Sequence, residues 1–179
     1  MSSYQTQFAS AAREEPVQVM WSHQQFSQLG VLCQVLDAIE NGVVILNPQR
    51  QVIYINQPLA EFANLSDKDE AIGLRVGEVI GCDHAFTTFG GCGTTEFCRS
   101  CGAITAILIA QDGQANVQEC RIARHVDNQF DVLDLRVKAT PLTVDGEKIT
   151  VFSVTNIADE KRRQVLEHIF FMICAIRRR

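Results

Sequence analysis

Cys82, Cys92, Cys98 and Cys101 fall within twenty residues near the middle of the chain, spaced C-x9-C-x5-C-x2-C. Thiolates bind zinc and iron–sulfur clusters strongly, and four of them close a tetrahedral set. The C-x2-C unit lets one turn place two sulfurs on one centre. Gly81, Gly90, Gly91, Gly93 and Gly102 surround the four cysteines. Glycine lets the backbone wrap tightly and bring N–H groups to sulfur. Arg99, between two cysteines, is placed to offset thiolate charge. Cys120 and His84 are lesser candidate ligands, and the fourth position stays open between Cys82 and Cys120. Otherwise Cys120 reads as a small strand residue and His84 as a loop residue. Cys33 lies on a helical stripe and reads as core, and Cys174 carries no expected role. A disulfide switch between Cys98 and Cys101 is a further chemistry the pattern allows.

The spacing discriminates between metals. Two-knuckle zinc sites usually show paired C-x2-4-C units, and this chain has one. A C-x5-C-x2-C core with a remote fourth cysteine is nearer to cluster spacings. An iron–sulfur cluster of the 4Fe–4S type is therefore favoured, with zinc as the alternative. No nucleophile–base pair is visible, and Gly90-Gly91-Cys92-Gly93 lacks the Lys-Ser/Thr of a phosphate loop. The expectation is a binding centre, not an enzyme.

Bulk properties narrow the setting. A chain of 179 residues with 46% apolar content fits one domain with arms. A net charge of -5 argues against a nucleic-acid surface. The polar start at Met1–Arg13 lacks the apolar segment of a secretory signal, and no run reaches membrane-spanning length. The expected place is the cytoplasm, with no membrane contact. That compartment is reducing, and seven cysteines is an odd number, so metal binding is favoured over structural disulfides.

The elements that must position the cysteines follow from periodicity. Residues 1–20 read as a flexible lead-in. Phe26, Leu29, Cys33, Leu36 and Ile39 recur at helical spacing, which predicts a flanking helix over 21–40, ended by Asn41-Gly42. Val43–Leu46 and Val52–Ile55 form a hairpin around Asn47-Pro48-Gln49-Arg50. Pro58 opens a short helix, and Ser66–Gly73 is a second. Ala103–Ala110 reads as a helix stopped by Asp112-Gly113. Three strands follow: Val117–Arg124, a second alternating through Leu133, Leu135, Val137 and Ala139, and Lys148–Ile157. Asp145-Gly146 is the turn before the last. The expected class is α+β, a five-stranded antiparallel sheet with helices on one face. From Ala158 a helical stripe of Val165, Ile169, Met172, Ile173 and Ile176 suits pairing with a second copy. Arg177–Arg179 would sit at that helix's negative end.

Asn41–Asn47 through Val52–Ala60 resembles the opening of a PAS domain. Val154–Lys161 is similar to the junction where a PAS sheet passes into its signalling helix. The resemblance covers roughly residues 25–160. It implies a PAS domain over 41–157, carrying the cysteine insert at 81–102, and a signalling helix at 158–179. Val165–Phe171 is similar to the run before the phosphoacceptor histidine of some bacterial sensor histidine kinases. There a His-Asp pair would follow, whereas here Met172-Ile173 does, and His168 precedes the expected position. The chain thus resembles the N-terminal sensor part of such a kinase, with the kinase core missing. The resemblance implies a signalling module, a homodimer through flanking helices, and a partner histidine kinase or response regulator. PAS domains with cysteine-bound clusters sense oxygen or redox state, which implies that role here. The spacing associated with them, two C-x2-C pairs, is not reproduced. The alternative is a zinc-stapled PAS interaction domain with no sensing at the metal. A haem ligand on the helix at 102–111 and a flavin-reactive Asn-Cys-Arg motif are both missing.

Overall fold

The computed structural model describes residues 6–126 and 129–176. Its elements in order are α1 (Pro16–Ser27), α2 (Gly30–Asp37), β1 (Gly42–Leu46), β2 (Val52–Ile55), α3 (Gln57–Phe62), α4 (Val76–Val79), α5 (Gly102–Gln111), β3 (Asn116–Val126), β4 (Gln129–Val144), β5 (Glu147–Asn156) and α6 (Ala158–Ile176). Between α4 and α5 the cysteine segment runs through two short 3-10 turns, Asp83–Phe86 and Glu96–Ser100. The strands form one antiparallel sheet in the order β2-β1-β5-β4-β3.

Strand alternation sends one set of side chains to each face. On the inner face, Val44, Leu46, Leu135, Val137, Ala139 and Phe152 pack under α3, α4 and α5. On the outer face, Ile45, Ile53, Tyr54 and Ile149 pack under Val19 and Phe26 of α1. This is why β1 and β2 are buried throughout and read as unbroken apolar runs. The expected one-sided cover therefore holds for β3, while α1 and α2 add a second layer over β1 and β2.

The turns follow their residues. Asp145 and Gly146 both take positive φ, and Val144 pairs with Glu147 around them. Gly113 ends α5 at φ +94°. The Asn47 side chain accepts the N–H groups of Gln49 and Gln51.

Three sequence expectations shift. The helix expected over 21–40 starts earlier and breaks at Gln28–Leu29, giving α1 and α2. Asn41-Gly42 is not its stop. The Asn56 amide instead binds the carbonyls of Leu36 and Asn41, and Gly42 opens β1 against Leu59, where a Cβ would come within 2.8 Å. Ser66–Gly73 contains one 3-10 turn, Lys68–Ala71, closed by an Asp67–Glu70 capping box.

The start of α6 is tied to the sheet by ion pairs. Arg136 bonds Glu160, and Lys161 reaches Glu119 and Asp134. Farther along, Val165, Leu166, Ile169, Phe170, Phe171 and Met172 are exposed. Arg177–Arg179 and the side chains from Ile173 onward, Cys174 included, lie outside the described residues. Among the described residues, no helix is long and apolar enough to cross a membrane.

Candidate thiol centre

The four expected cysteines arrive from three directions. Cys82 leaves α4 and pairs its backbone with Arg124 of β3. Cys92 follows the Gly90-Gly91 turn, where Gly91 takes φ +73°. Cys98 lies in the 3-10 turn before α5, and Cys101 is the N-cap of α5. Cys98 is buried and the other three are partly buried. Gly77 of α4 is the seat for the loop: a Cβ there would lie 2.6 Å from the Cys92 sulfur and 3.5 Å from the Cys82 Cβ.

Backbone N–H groups favour thiolate at three of the sulfurs. Those of His84 and Ala85 act on Cys82 and that of Gly77 on Cys92. Cys101 accepts from Ile104 and Ala103 at the start of α5, and the Thr95 hydroxyl bonds the Cys98 sulfur at 3.1 Å. Burial pushes the Cys92 thiol up to about 12, and the charges of Cys101, Cys98 and Cys82 push the same way. Burial also raises Cys82, and again Cys101 and Cys98 add to the rise. Cys82 and Cys92 thus both feel the charges of Cys98 and Cys101. Among the described residues, no three His, Cys, Asp or Glu side chains are gathered tightly enough to hold a single metal ion.

Cys120 belongs to this neighbourhood. It is buried on β3, and its thiol hydrogen-bonds Cys101. That bond holds Cys101 below the usual thiol range, ahead of burial, which acts against it. The same bond, with burial, raises Cys120, so Cys120 is the donor. Close packing makes the contact: a Cβ on Gly102 would fall 2.3 Å from the Glu119 carbonyl oxygen. His84 bears on the Cys101 charge and stacks on Phe97 at 4.4 Å. Cys33 sits apart, in the outer core.

The charge-offsetting role expected of Arg99 falls elsewhere. Arg99 is exposed and donates to the Gln7 carbonyl. Arg50 and Arg75 are buried instead, at 6% and 1% exposure. Arg75 donates to the carbonyls of Gly90 (2.8 Å), Cys92 (3.1 Å), Ser10 (3.3 Å) and Ala12 (2.8 Å). Arg50 donates to Ser10, and the Nε of each arginine has no partner among the described residues. Burial lowers Arg75 to about 10, and the nearby Arg50 and Arg13 add to this. Burial lowers Arg50 as well, and the Cys92 charge leads the groups opposing that. Among the described residues, the carboxylate that answers these cations is Glu78, which pairs with Arg13 and accepts the Cys92 N–H at 3.1 Å.

A cavity of about 660 Å³ opens beside the ends of α5 and β4, and one of about 430 Å³ between α1 and the β4–β5 turn. Neither is lined by a cysteine.

A sequence model described as "PAS domain" matches residues 31–97. The strand order and inner helices match solved PAS domains. The PAS domain of Bordetella pertussis BvgS superposes with TM-score 0.53 at 12% identity, over 83% of this chain and 98% of that one. The chain folds as a PAS domain. A PAS domain of a Colwellia psychrerythraea protein gives TM-score 0.52 at 15% identity, over 74% of this chain and 98% of that one. One from a two-component sensor histidine kinase gives 0.50 at 8%, over 74% and 99%. No curated protein matches the chain. At these identities the likeness is one of fold, and the PAS scaffold leaves the cysteine segment to be read from its own chemistry.

Proposed function

We propose that this PAS domain is a sensory module of a signalling protein related to two-component histidine kinases, with a redox- or oxygen-responsive iron–sulfur centre on Cys82, Cys92, Cys98 and Cys101. The observation that carries it is the buried cation pair. Arg50 and Arg75 lie buried beside Cys92, and among the described residues Glu78 is the carboxylate that answers them. Buried charge is costly unless paired. Four thiolates around a doubly charged cluster would leave a net negative centre, which would supply the missing counter-charge. The sulfur-directed N–H groups support the same reading, since such bonds stabilise thiolate and tune cluster potential.

When bound, the cluster supplies a one-electron couple or a bond set that oxygen destroys. The chain's own residues hold the sulfurs, supply N–H groups to them and balance their charge. The output is carried by flanking helices, with α6 exposing apolar residues for a second copy and for a kinase or response-regulator partner. The module is assigned no catalysis of its own and a cytoplasmic place.

The test is to purify the full chain without oxygen and measure iron, acid-labile sulfide, zinc and visible absorption. Iron and sulfide with air-bleached brown colour support the proposal. Stoichiometric zinc without colour replaces sensing with a structural staple, and neither metal refutes the centre.

A further inference from the structure

The segment read from sequence as a loose lead-in lies, from residue 6, along the cysteine loop. Gln7 N–H donates to the Thr94 carbonyl at 2.9 Å, and Ala9 N–H to Gly93 at 3.0 Å. Glu96 N–H donates to the Gln7 side-chain oxygen, and Arg99 to the Gln7 carbonyl. Arg75 binds the Cys92 carbonyl with one nitrogen and the Ala12 carbonyl with the other. Glu78 joins the Cys92 N–H to Arg13 in the same way. At Gly91 the loop backbone presses on that pair, leaving no room for a Cβ beside the Glu78 carboxylate. Between residues 7 and 13, these anchors are on loop residues 91–99 or on side chains that also hold Cys92.

Beyond Arg13 the chain turns around the β1–β2 loop, where Glu14 N–H donates to the Gln51 side chain at 2.7 Å. It then enters α1 at Pro16 without a spacer. The helix α1 covers the outer face of the sheet through Val19 and Phe26. One continuous segment therefore joins the thiol centre on the inner side to a helix on the outer side.

We infer that residues 6–15 are a strap that reports the state of the thiol centre to α1. The inference rests on the proposed centre. With the centre charged, the loop from Gly90 to Arg99 keeps the shape that presents the Gly93 and Thr94 carbonyls, and Arg50 and Arg75 keep their counter-charge. When the centre is lost, Glu78, already paired with Arg13, is the anion left to answer the two buried cations, and they repel each other more strongly. The loop moves, the strap loses its rungs and α1 loses its anchor. A ligand-dependent change needs contacts that differ between two states, and these contacts do.

The experiment uses the full chain, loaded and after chelation, followed by amide hydrogen exchange of the peptides covering 6–15. The single tryptophan, Trp21 on α1, gives a parallel fluorescence reading. The expected result is exchange at least about tenfold faster in the strap after metal loss, with β1 and β5 amides unchanged. R13Q, at a partly exposed side chain, should speed strap exchange in the loaded protein while metal per chain stays constant. Metal bound with equal strap exchange in both states overturns the strap and leaves the centre standing, as does an unaffected strap in R13Q. A chain that holds no metal under any condition overturns the centre and the strap together.

Discussion

Gly77→Ala sets two effects of opposite sign against each other. Gly77 is inside α4, and its φ is not positive, so alanine fits the backbone. Helix propensity alone favours alanine by about 0.5–1 kcal/mol. Yet the new Cβ would lie 2.6 Å from the Cys92 sulfur and 3.1 Å from its Cβ. Real contacts do not go that close, and overpacking of this kind costs about 1–3 kcal/mol. Collision should win, with a net loss of about 1–2 kcal/mol, or roughly 2–8 °C in Tm for a chain of this size. The side chain that must give way is a proposed ligand, so metal per chain should fall as well. The assay is thermal unfolding alongside metal analysis of the anaerobic protein. A variant that melts higher and keeps its full metal complement would show that Cys92 does not seat on α4, and the geometry of the centre would have to be redrawn.

Cys82→Ser should abolish metal binding while Cys120→Ser retains it, because Cys120 is a donor to Cys101 and Cys82 is supplied with donors of its own; metal analysis of both variants decides. In metal-free protein, Cys101 should alkylate fastest and keep reacting as pH falls below the ordinary thiol range, since a lowered pKa preserves thiolate there. Peptide mapping of iodoacetamide labelling against pH checks this, and C120A, which removes the donor, should move the profile upward. Arg75→Met strips the Gly90, Cys92 and Ala12 carbonyls of a donor, while Ser10 keeps Arg50; each is worth about 1–3 kcal/mol if left unsatisfied, so denaturant melts should show a loss of at least about 3 kcal/mol. Glu160→Gln removes an exposed partner of Arg136 and should leave the melting curve nearly unchanged.

What could be read from sequence was whatever side-chain pattern controls. Leu133, Leu135, Val137 and Ala139 alternate because one face of β4 is covered. Asp145-Gly146 marks its turn because both residues tolerate positive φ. The cysteine spacing pointed to one neighbourhood, and in the structure Cys82 and Cys92 feel the charges of Cys98 and Cys101. What could not be read is written in main-chain bonds. The seat of residues 6–13 uses carbonyls and N–H groups that every residue carries, so Ser- and Gln-rich sequence looked like free chain. Arg50 seemed an ordinary turn residue and Arg75 a charge between apolar neighbours. Only the loop folding back over them reveals that they are buried. Arg99 looked better placed along the chain, but the 3-10 turn at Glu96–Ser100 points it to solvent. Cys120 passed as a small strand residue because nothing local shows that α5 starts directly above it.

The sheet order has a consequence for how this molecule comes into being. The middle of the sheet is β1 beside β5, with Val44 opposite Phe152. More than half of the chain lies between those partners, the cysteine segment included. Such distant pairing is slow to form, because a long loop must close before any contact rewards it. During synthesis the first hairpin must wait for the last strand to leave the ribosome, with its apolar edges unprotected. A product ending short of β5 would lack the central strand, not a peripheral one, and should be cleared as misfolded protein.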